Sequence, residues 1–215
     1  MRIEAGSKLL FIGDSVTDCG RVHPVGEGLG AALGNGYVSY VEAVLGAARP
    51  EAQLRIVNMG VSGNTVRDLK ARWQRDVLEL RPDWLSIMIG INDVWRQFDS
   101  PTRPEAAVPL DEYERTLMVL VRQALPSVKG LVLMTPFFIE PNRTDAMRTR
   151  MDEYGAAVRR IAGETGALLV DTQAAYDVVL EHCYSANISW DRVHPNHVGH
   201  MVLARAFLNV VGVPF

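Results

Sequence analysis

The chain has 215 residues and a formal net charge of -3 at pH 7, with 48% hydrophobic and 22% charged residues. This size suits one α/β domain with a well-filled core, so we expect residues 1–215 to form a single domain. The slightly acidic balance provides no basic face for phosphates, which argues against a nucleic-acid partner.

Cysteine usage and apolar runs predict the compartment. Cys19 and Cys183 are the two cysteines, and their wide separation argues against a disulfide framework. Residues 1–6 lack the apolar stretch of a signal peptide. The longest apolar runs, such as residues 9–12, are far too short to cross a membrane. We therefore expect a cytoplasmic protein without a membrane partner.

Five short, continuously apolar runs predict buried strands. Continuous rather than alternating apolar runs are typical of a parallel sheet whose two faces are both covered by helices. The runs are residues 9–12, 54–58, 84–89, 131–134 and 167–170.

Stretches with helical periodicity separate these runs. They predict helices over residues 110–125 and 146–162, and a last helix over 195–208 with Pro195 near its first turn. The alternation predicts a doubly wound fold, a three-layer α/β/α sandwich around a five-stranded parallel sheet. The glycine-rich segment 19–36 and the proline-rich segment 100–109 are expected to be loops of this domain. Segment 19–36 lacks the Gly-Lys-Ser/Thr ending of a phosphate-binding loop, and we expect a rim beside the site.

Small polar residues follow three of the predicted strands. Strand one ends in Gly13-Asp14-Ser15, strand two leads to Gly60, and strand three leads to Asn92. Ligands of open parallel sheets bind beyond the carboxyl ends of the strands. Together with the late Asp191-x-x-His194, these endings predict an active site.

The residue types fit nucleophilic catalysis. The hydroxyl of Ser15 needs a base within hydrogen-bond reach, and the imidazole of His194 suits that task near neutral pH. Asp191 would fix the imidazole tautomer and stabilise its charged form. The backbone N–H groups of Ser15 and Gly60 and the side-chain amide of Asn92 are candidate oxyanion donors. We expect glycine at position 60 because a side chain would obstruct the substrate's approach.

These segments together resemble a known family. Gly13-Asp14-Ser15, Gly60, Gly90-x-Asn92-Asp93 and Asp191-x-x-His194 look like the four sequence blocks of the SGNH, or GDSL, hydrolases, in the family's order. The resemblance implies a flavodoxin-like fold, Ser15 as nucleophile, Gly60 and Asn92 as oxyanion donors, and His194 as base with Asp191. It also implies catalysis without a metal or organic cofactor.

Longer strings narrow the resemblance. Residues 11–20, 62–70 and 90–97 are similar to segments of intracellular bacterial acetylxylan esterases within this family. That similarity implies removal of acetyl groups from xylose units or xylo-oligosaccharides, by a homo-oligomer. Two alternatives stay open: a broad lipolytic esterase, thioesterase or lysophospholipase on the same machinery, and a non-catalytic carbohydrate-binding module.

Aromatic and basic residues beside the blocks are candidate substrate contacts. Trp190 and Tyr184 could stack on a sugar face, although exposed aromatics also form interfaces. Arg96 could line the pocket or form an ion pair. We expect Trp95 to lie in an interface rather than to contact the substrate.

Several polar residues also have structural interpretations. Asp14 is expected to support its turn, and Asp93 to cap the helix after strand three. Asn58 could support the site from behind, and Asn64 could be an ordinary loop residue. His194, His197 and His200 have a spacing that suggests zinc, but no carboxylate or cysteine completes the set. Cys19 is expected to be packed rather than reactive.

Overall fold

A computed structural model describes residues 1–100 and 102–213 of the chain. Pro101, in the predicted 100–109 loop, and the last two residues of the predicted domain lie outside the described residues.

Five parallel strands form one sheet, in the spatial order β2-β1-β3-β4-β5. The fold predicted from the sequence is confirmed, and each strand boundary lies within one residue of its predicted position. In the register, Leu10 of β1 pairs with Val57 of β2 and with Leu85 of β3. The strands are β1 Lys8–Gly13, β2 Arg55–Asn58, β3 Trp84–Met88, β4 Gly130–Met134 and β5 Leu168–Val170.

Helices flank the sheet in two groups. Helix α2 packs on α8, which also contacts α7; in the other group α5 packs on α3 and α6, and α6 also contacts α4. Helices α5 and α6 match the predicted ranges closely, whereas α2, α3, α4 and α7 were not predicted individually. The helices are α1 Ser15–Asp18, α2 Tyr37–Ala48, α3 Val66–Trp73, α4 Ile91–Asp99, α5 Leu110–Ala124, α6 Ala146–Thr165, α7 Thr172–Leu180 and α8 His197–Val210.

The last helix begins two residues later than predicted. The side chain of Asn196 accepts hydrogen bonds from the backbone N–H groups of Val198 and Gly199, so Asn196 is the N-cap and α8 starts at His197. Pro195 therefore precedes the cap instead of occupying the first turn. Asparagine at the cap satisfies N–H groups that a proline could not.

Strand β1 lies between the edge strand β2 and the central strand β3. The order in which successive strands join the sheet reverses at this point, and ligands of such sheets bind at the carboxyl edge of the sheet. Segment 19–36 lies beside it, where Gly26 forms an isolated antiparallel bridge with Asn58. Among residues 1–100 and 102–213, none of the helices has the length and apolar character that a membrane span requires.

Candidate active site

The nucleophile candidate lies on a tight turn after β1. Asp14 caps α1 by accepting a hydrogen bond from the Val16 N–H at 3.0 Å, as expected, and Ser15 is the first residue of that helix. A Cβ at position 13 would lie 3.1 Å from the Thr17 Cβ, so only glycine lets the turn pack this closely. Burial raises the pKa of the Asp14 carboxyl to about 7.

Ser15, His194 and Asp191 form a continuous hydrogen-bonded chain. The Ser15 Oγ lies 3.0 Å from the His194 Nε2, and the His194 Nδ1 lies 2.6 Å from the Asp191 Oδ2. Ser15 and His194 are 179 positions apart in the sequence, and the fold brings them together at the carboxyl edge of the sheet. The geometry is that of a serine activated by an imidazole whose far nitrogen is held by a carboxylate.

Asp191 is held by its own loop. Its Oδ1 accepts hydrogen bonds from the backbone N–H groups of Val193 at 2.9 Å and His194 at 2.7 Å, and from the Ser189 hydroxyl at 3.1 Å. Partial burial alone would raise the pKa of Asp191, but the hydrogen bonds from His194 and Val193 outweigh it and lower the pKa to about 2. The carboxylate is thus ionised throughout the neutral range.

The backbone N–H and carbonyl groups of Gly60 each form a hydrogen bond with a side chain. The Gly60 N–H donates to the Asn58 Oδ1 at 2.9 Å, and the Gly60 carbonyl accepts from the Arg21 Nε at 2.6 Å. Asn58 also donates through Nδ2 to the Thr17 carbonyl at 2.7 Å. Asn58 therefore connects the Gly60 loop to the helix that begins with Ser15.

The reason for glycine at position 60 differs from the one predicted. A Cβ there would lie 2.6 Å from the carbonyl carbon of Thr17 and would also overlap the backbone of Asp18. Glycine is required because the loop after β2 packs directly on α1, and not because a side chain would block the substrate.

Asn92 and Ser15 offer further donors. The Asn92 Nδ2 donates to the Asn64 carbonyl at 3.0 Å, which fixes the amide through one of its two protons. The Ser15 N–H lies in the first turn of α1, where a helix supplies no carbonyl partner for it.

Asp93 caps a helix, but not the one predicted. It lies inside the first turn of α4 and its Oδ1 accepts from the Val66 N–H at 3.0 Å, at the start of α3. The expectation that it caps the helix after strand three is wrong, because the fold brings α3 next to α4. Burial raises the pKa of Asp93 to about 7.

A buried arginine that no sequence motif indicates connects the segments at the ends of β1 and β2. Arg72 donates to the carbonyl of Gly13 at 2.9 Å, to the carbonyl of Met59 at 2.7 Å and to the Asn64 Oδ1 at 2.6 Å. Asp76, one helical turn later, lies 3.0 Å from its Nη1. The i,i+4 spacing of this ion pair was the available signal, but such pairs usually lie on the surface.

Trp95 and Arg96 lie next to the triad. The Trp95 ring centroid is 5.7 Å from that of His194, with the two planes at 68°. The Arg96 guanidinium lies 5.0 Å over the Trp95 ring and forms an ion pair with Asp99. Of the two interpretations of Arg96, the structure shows the ion pair.

Trp190 and Tyr184 flank a surface groove beside the histidine loop. Trp190 and Tyr184 are 91% and 75% exposed, and Glu140, Pro141 and Arg192 are among the other residues that line the groove. Both interpretations made from the sequence, sugar stacking and an interface, remain compatible with this exposure.

The three histidines do not converge on one point. The His200 Nδ1 accepts from the Tyr37 N–H at 3.2 Å, and its Nε2 lies 3.3 Å from the Cys19 Sγ. Burial lowers the pKa of His200 to about 4, and burial raises the pKa of the Cys19 thiol. Both side chains are therefore neutral packing partners. In the part of the chain that the structure describes, no three His, Cys, Asp or Glu side chains form a group able to hold a metal ion.

Comparison with known proteins agrees with this geometry. Residues 11–202 match the model of the GDSL-like lipase/acylhydrolase family. The chain belongs to this family. It is 61% identical over 212 residues to an acetylxylan esterase from Geobacillus stearothermophilus, covering 99% of this chain and 97% of that protein.

Solved structures of ester hydrolases and related enzymes are also similar to this chain over nearly its whole length. The structure of that esterase, Axe2, has a TM-score of 0.98 and 61% identity, covering 99% of this chain and 97% of its own. Catalytic mutants of Axe2 carry S15A, D191A and H194A. LAE5, an alpha/beta hydrolase enzyme from the metagenome of Lake Arreo, has a TM-score of 0.98 and 56% identity, covering 99% and 98% of the two chains. The protein is a serine-type carboxylic ester hydrolase, and the binding-module alternative is wrong.

Proposed function

We propose that this esterase removes acetyl groups from xylose units or xylo-oligosaccharides through an acyl-enzyme on Ser15. The observation that carries the proposal is the hydrogen-bonded chain Ser15–His194–Asp191. The choice of substrate is supported by the 61% identity to an acetylxylan esterase over nearly the whole chain.

In the proposed first half-reaction, the Ser15 Oγ attacks the acyl carbonyl while the His194 Nε2 takes the hydroxyl proton. Collapse of the tetrahedral intermediate breaks the ester bond, and His194 returns that proton to the departing sugar oxygen. In the second half, His194 takes a proton from water as the water oxygen attacks the acyl-enzyme. Collapse of this second intermediate breaks the bond between the Ser15 Oγ and the acyl carbon, His194 returns the proton to the Ser15 Oγ, and acetic acid is released. The low pKa of Asp191 keeps its carboxylate charged opposite the imidazolium.

The proposed oxyanion donors are the Ser15 N–H, the second amide proton of Asn92 and the Gly60 N–H. Asn92 supports this role because its amide is fixed by Asn64 through one proton only. The Gly60 N–H donates to Asn58, so its participation requires that the proton be shared between Asn58 and the oxyanion. Losing one such donor typically costs about a hundred- to thousandfold in kcat.

Trp190 and Tyr184 are the proposed sugar contacts. Their exposed rings lie in the groove next to Asp191, and an exposed aromatic ring is a suitable stacking surface for a pyranose. Arg96 is also proposed to contact substrate. Because it pairs with Asp99 and lies over Trp95, that contact would have to be made with the remaining edge of its guanidinium.

A substrate panel tests the proposal. Acetylated xylo-oligosaccharides would be compared with p-nitrophenyl esters of increasing acyl length, with kcat/KM as the readout. We expect efficient deacetylation of the oligosaccharides and a steep fall beyond propionyl. Equal activity on long acyl chains would instead favour the lipolytic alternative.

We also propose a cytoplasmic homo-oligomer. Cys19 and Cys183 are both free thiols, which suits a reducing compartment. Val178 and Met201 are exposed apolar residues of a groove between α7 and α8, which suits contact between copies. Light scattering after size exclusion should give a multiple of the chain mass, and a monomeric mass would contradict the proposal. Cell fractionation should recover the enzyme in the cytoplasmic fraction.

A further inference from the structure

Helix α4 brings two side chains to the site from one rigid element. Asn92 lies in its first turn, and Trp95 follows three residues later on the same side of the helix. Trp95 is half-buried and packs against the hydrophobic core with part of its surface. The remaining part lies against His194, with ring centroids 5.7 Å apart and planes at 68°. This near-perpendicular arrangement is a favourable one for two aromatic rings.

The indole is itself restrained. The Arg96 guanidinium lies 5.0 Å over its ring, and Arg96 is held by the ion pair with Asp99. The Arg96 Nη2 also approaches the Asn92 Oδ1 at 3.4 Å. Arg96 therefore connects the Trp95 ring to Asp99 and to the Asn92 amide on the same helix.

His194 needs such a neighbour because its loop is exposed. Its two hydrogen bonds, to Ser15 and to Asp191, act at the two ring nitrogens and in the plane of the ring. They resist displacement within that plane but resist tilting of the ring much less. A side chain packed against the imidazole restricts the motion that these two bonds leave free.

We propose that Trp95 is a positioning residue that keeps the His194 ring aligned between Ser15 and Asp191 during turnover. The inference rests on the proposed role of His194 as the base. Trp95 acts through the imidazole and takes no part in proton transfer. Its loss should therefore lower kcat with little change in KM for a small ester.

The test compares Trp95→Leu with Trp95→Phe, using p-nitrophenyl acetate so that the result does not depend on the sugar substrate. Misalignment of a catalytic group typically costs up to about a hundredfold, and we expect a fall of about tenfold in kcat for Trp95→Leu. Trp95→Phe should stay within about threefold of wild type, because an aromatic ring is retained. Phe98→Leu is the matched control, since Phe98 is an exposed aromatic residue of the same helix; it should leave kcat unchanged.

A second comparison separates positioning from a general loss of structure. Combined with His194→Ala, the Trp95→Leu change should alter the residual rate by less than about twofold, because the ring through which it acts is absent. If Trp95→Leu does not fold, Arg96→Met gives the same comparison by loosening the indole. Wild-type kcat in Trp95→Leu, or an equal loss in the His194→Ala background, would overturn the inference. Full activity of His194→Ala itself would instead overturn the proposed function.

Discussion

Asn58 is the residue whose removal should damage fold and site together. Its side chain is fully buried. It donates to the carbonyls of Thr17 at 2.7 Å and Leu33 at 2.8 Å, and it accepts from the Gly60 N–H at 2.9 Å. Asn58→Ala leaves these three buried groups without their partner.

The magnitude follows from that count. A buried polar group left unpaired costs about 1–3 kcal/mol, so three such groups predict a loss of about 3–9 kcal/mol in the free energy of unfolding. Domains of this kind have a total stability of about 5–15 kcal/mol, so the loss is a large fraction of the whole. Because Asn58 also connects Gly60 to the helix of Ser15, kcat should fall about ten- to hundredfold.

Urea unfolding followed by tryptophan fluorescence measures the first effect, and hydrolysis of p-nitrophenyl acetate the second. Asn35→Ala, at an exposed asparagine of the neighbouring loop, is the control and should change the unfolding free energy by less than about 0.5 kcal/mol. If Asn58→Ala unfolds at the same urea concentration as this control, the argument from buried hydrogen bonds is refuted.

Three further changes test other parts of the account. Gly60→Ala should lower the unfolding free energy by about 1–3 kcal/mol in urea titrations, because the new Cβ overlaps the backbone of Asp18. Burial raises the pKa of Asp14 to about 7 in the folded chain. Between about pH 4 and pH 7 the unfolded chain has lost this proton and the folded chain still holds it, so the free energy of unfolding falls as pH rises. Asp14→Asn should therefore gain stability relative to wild type as pH rises through that interval, and a constant difference would contradict the argument. Asp191→Asn should lower kcat about a thousand- to ten-thousandfold in steady-state assays, because the His194 tautomer is no longer fixed.

Much of the fold could be predicted because the strands are continuously apolar. Strands β1 and β3 are buried on both faces, so their composition alone distinguishes them from the surrounding helices. The sequence predicts too early a start for α8 because Pro195 matches a first-turn preference, whereas the side-chain hydrogen bonds of Asn196 make that residue the N-cap.

The residues of the site could be predicted where chemistry restricts the residue type. Ser15, His194 and Asp191 were identified this way, and the structure places them within hydrogen-bond reach of each other. The reason for Gly60 could not be predicted, because the contact between its loop and α1 exists only in the folded chain.

The roles of the supporting residues could not be predicted, because they depend on contacts between residues that are far apart in the sequence. Arg72 donates to the carbonyls of Gly13 and Met59, and the Trp95 ring packs against His194, which lies far along the chain. Neither position differs locally from an ordinary helix residue, since arginine is common on helix surfaces and tryptophan is common at interfaces. Asp93 illustrates the same limit, because it caps a helix that precedes it in sequence.

The central claim is that the acyl group is carried by Ser15, activated by His194. Intact and peptide mass spectrometry after reaction with a fluorophosphonate tests it most directly. We expect one adduct on the peptide that contains Ser15, no adduct in Ser15→Ala with unchanged circular dichroism, and much slower labelling in His194→Ala. An adduct on another residue, or full ester hydrolysis by Ser15→Ala, would contradict the claim.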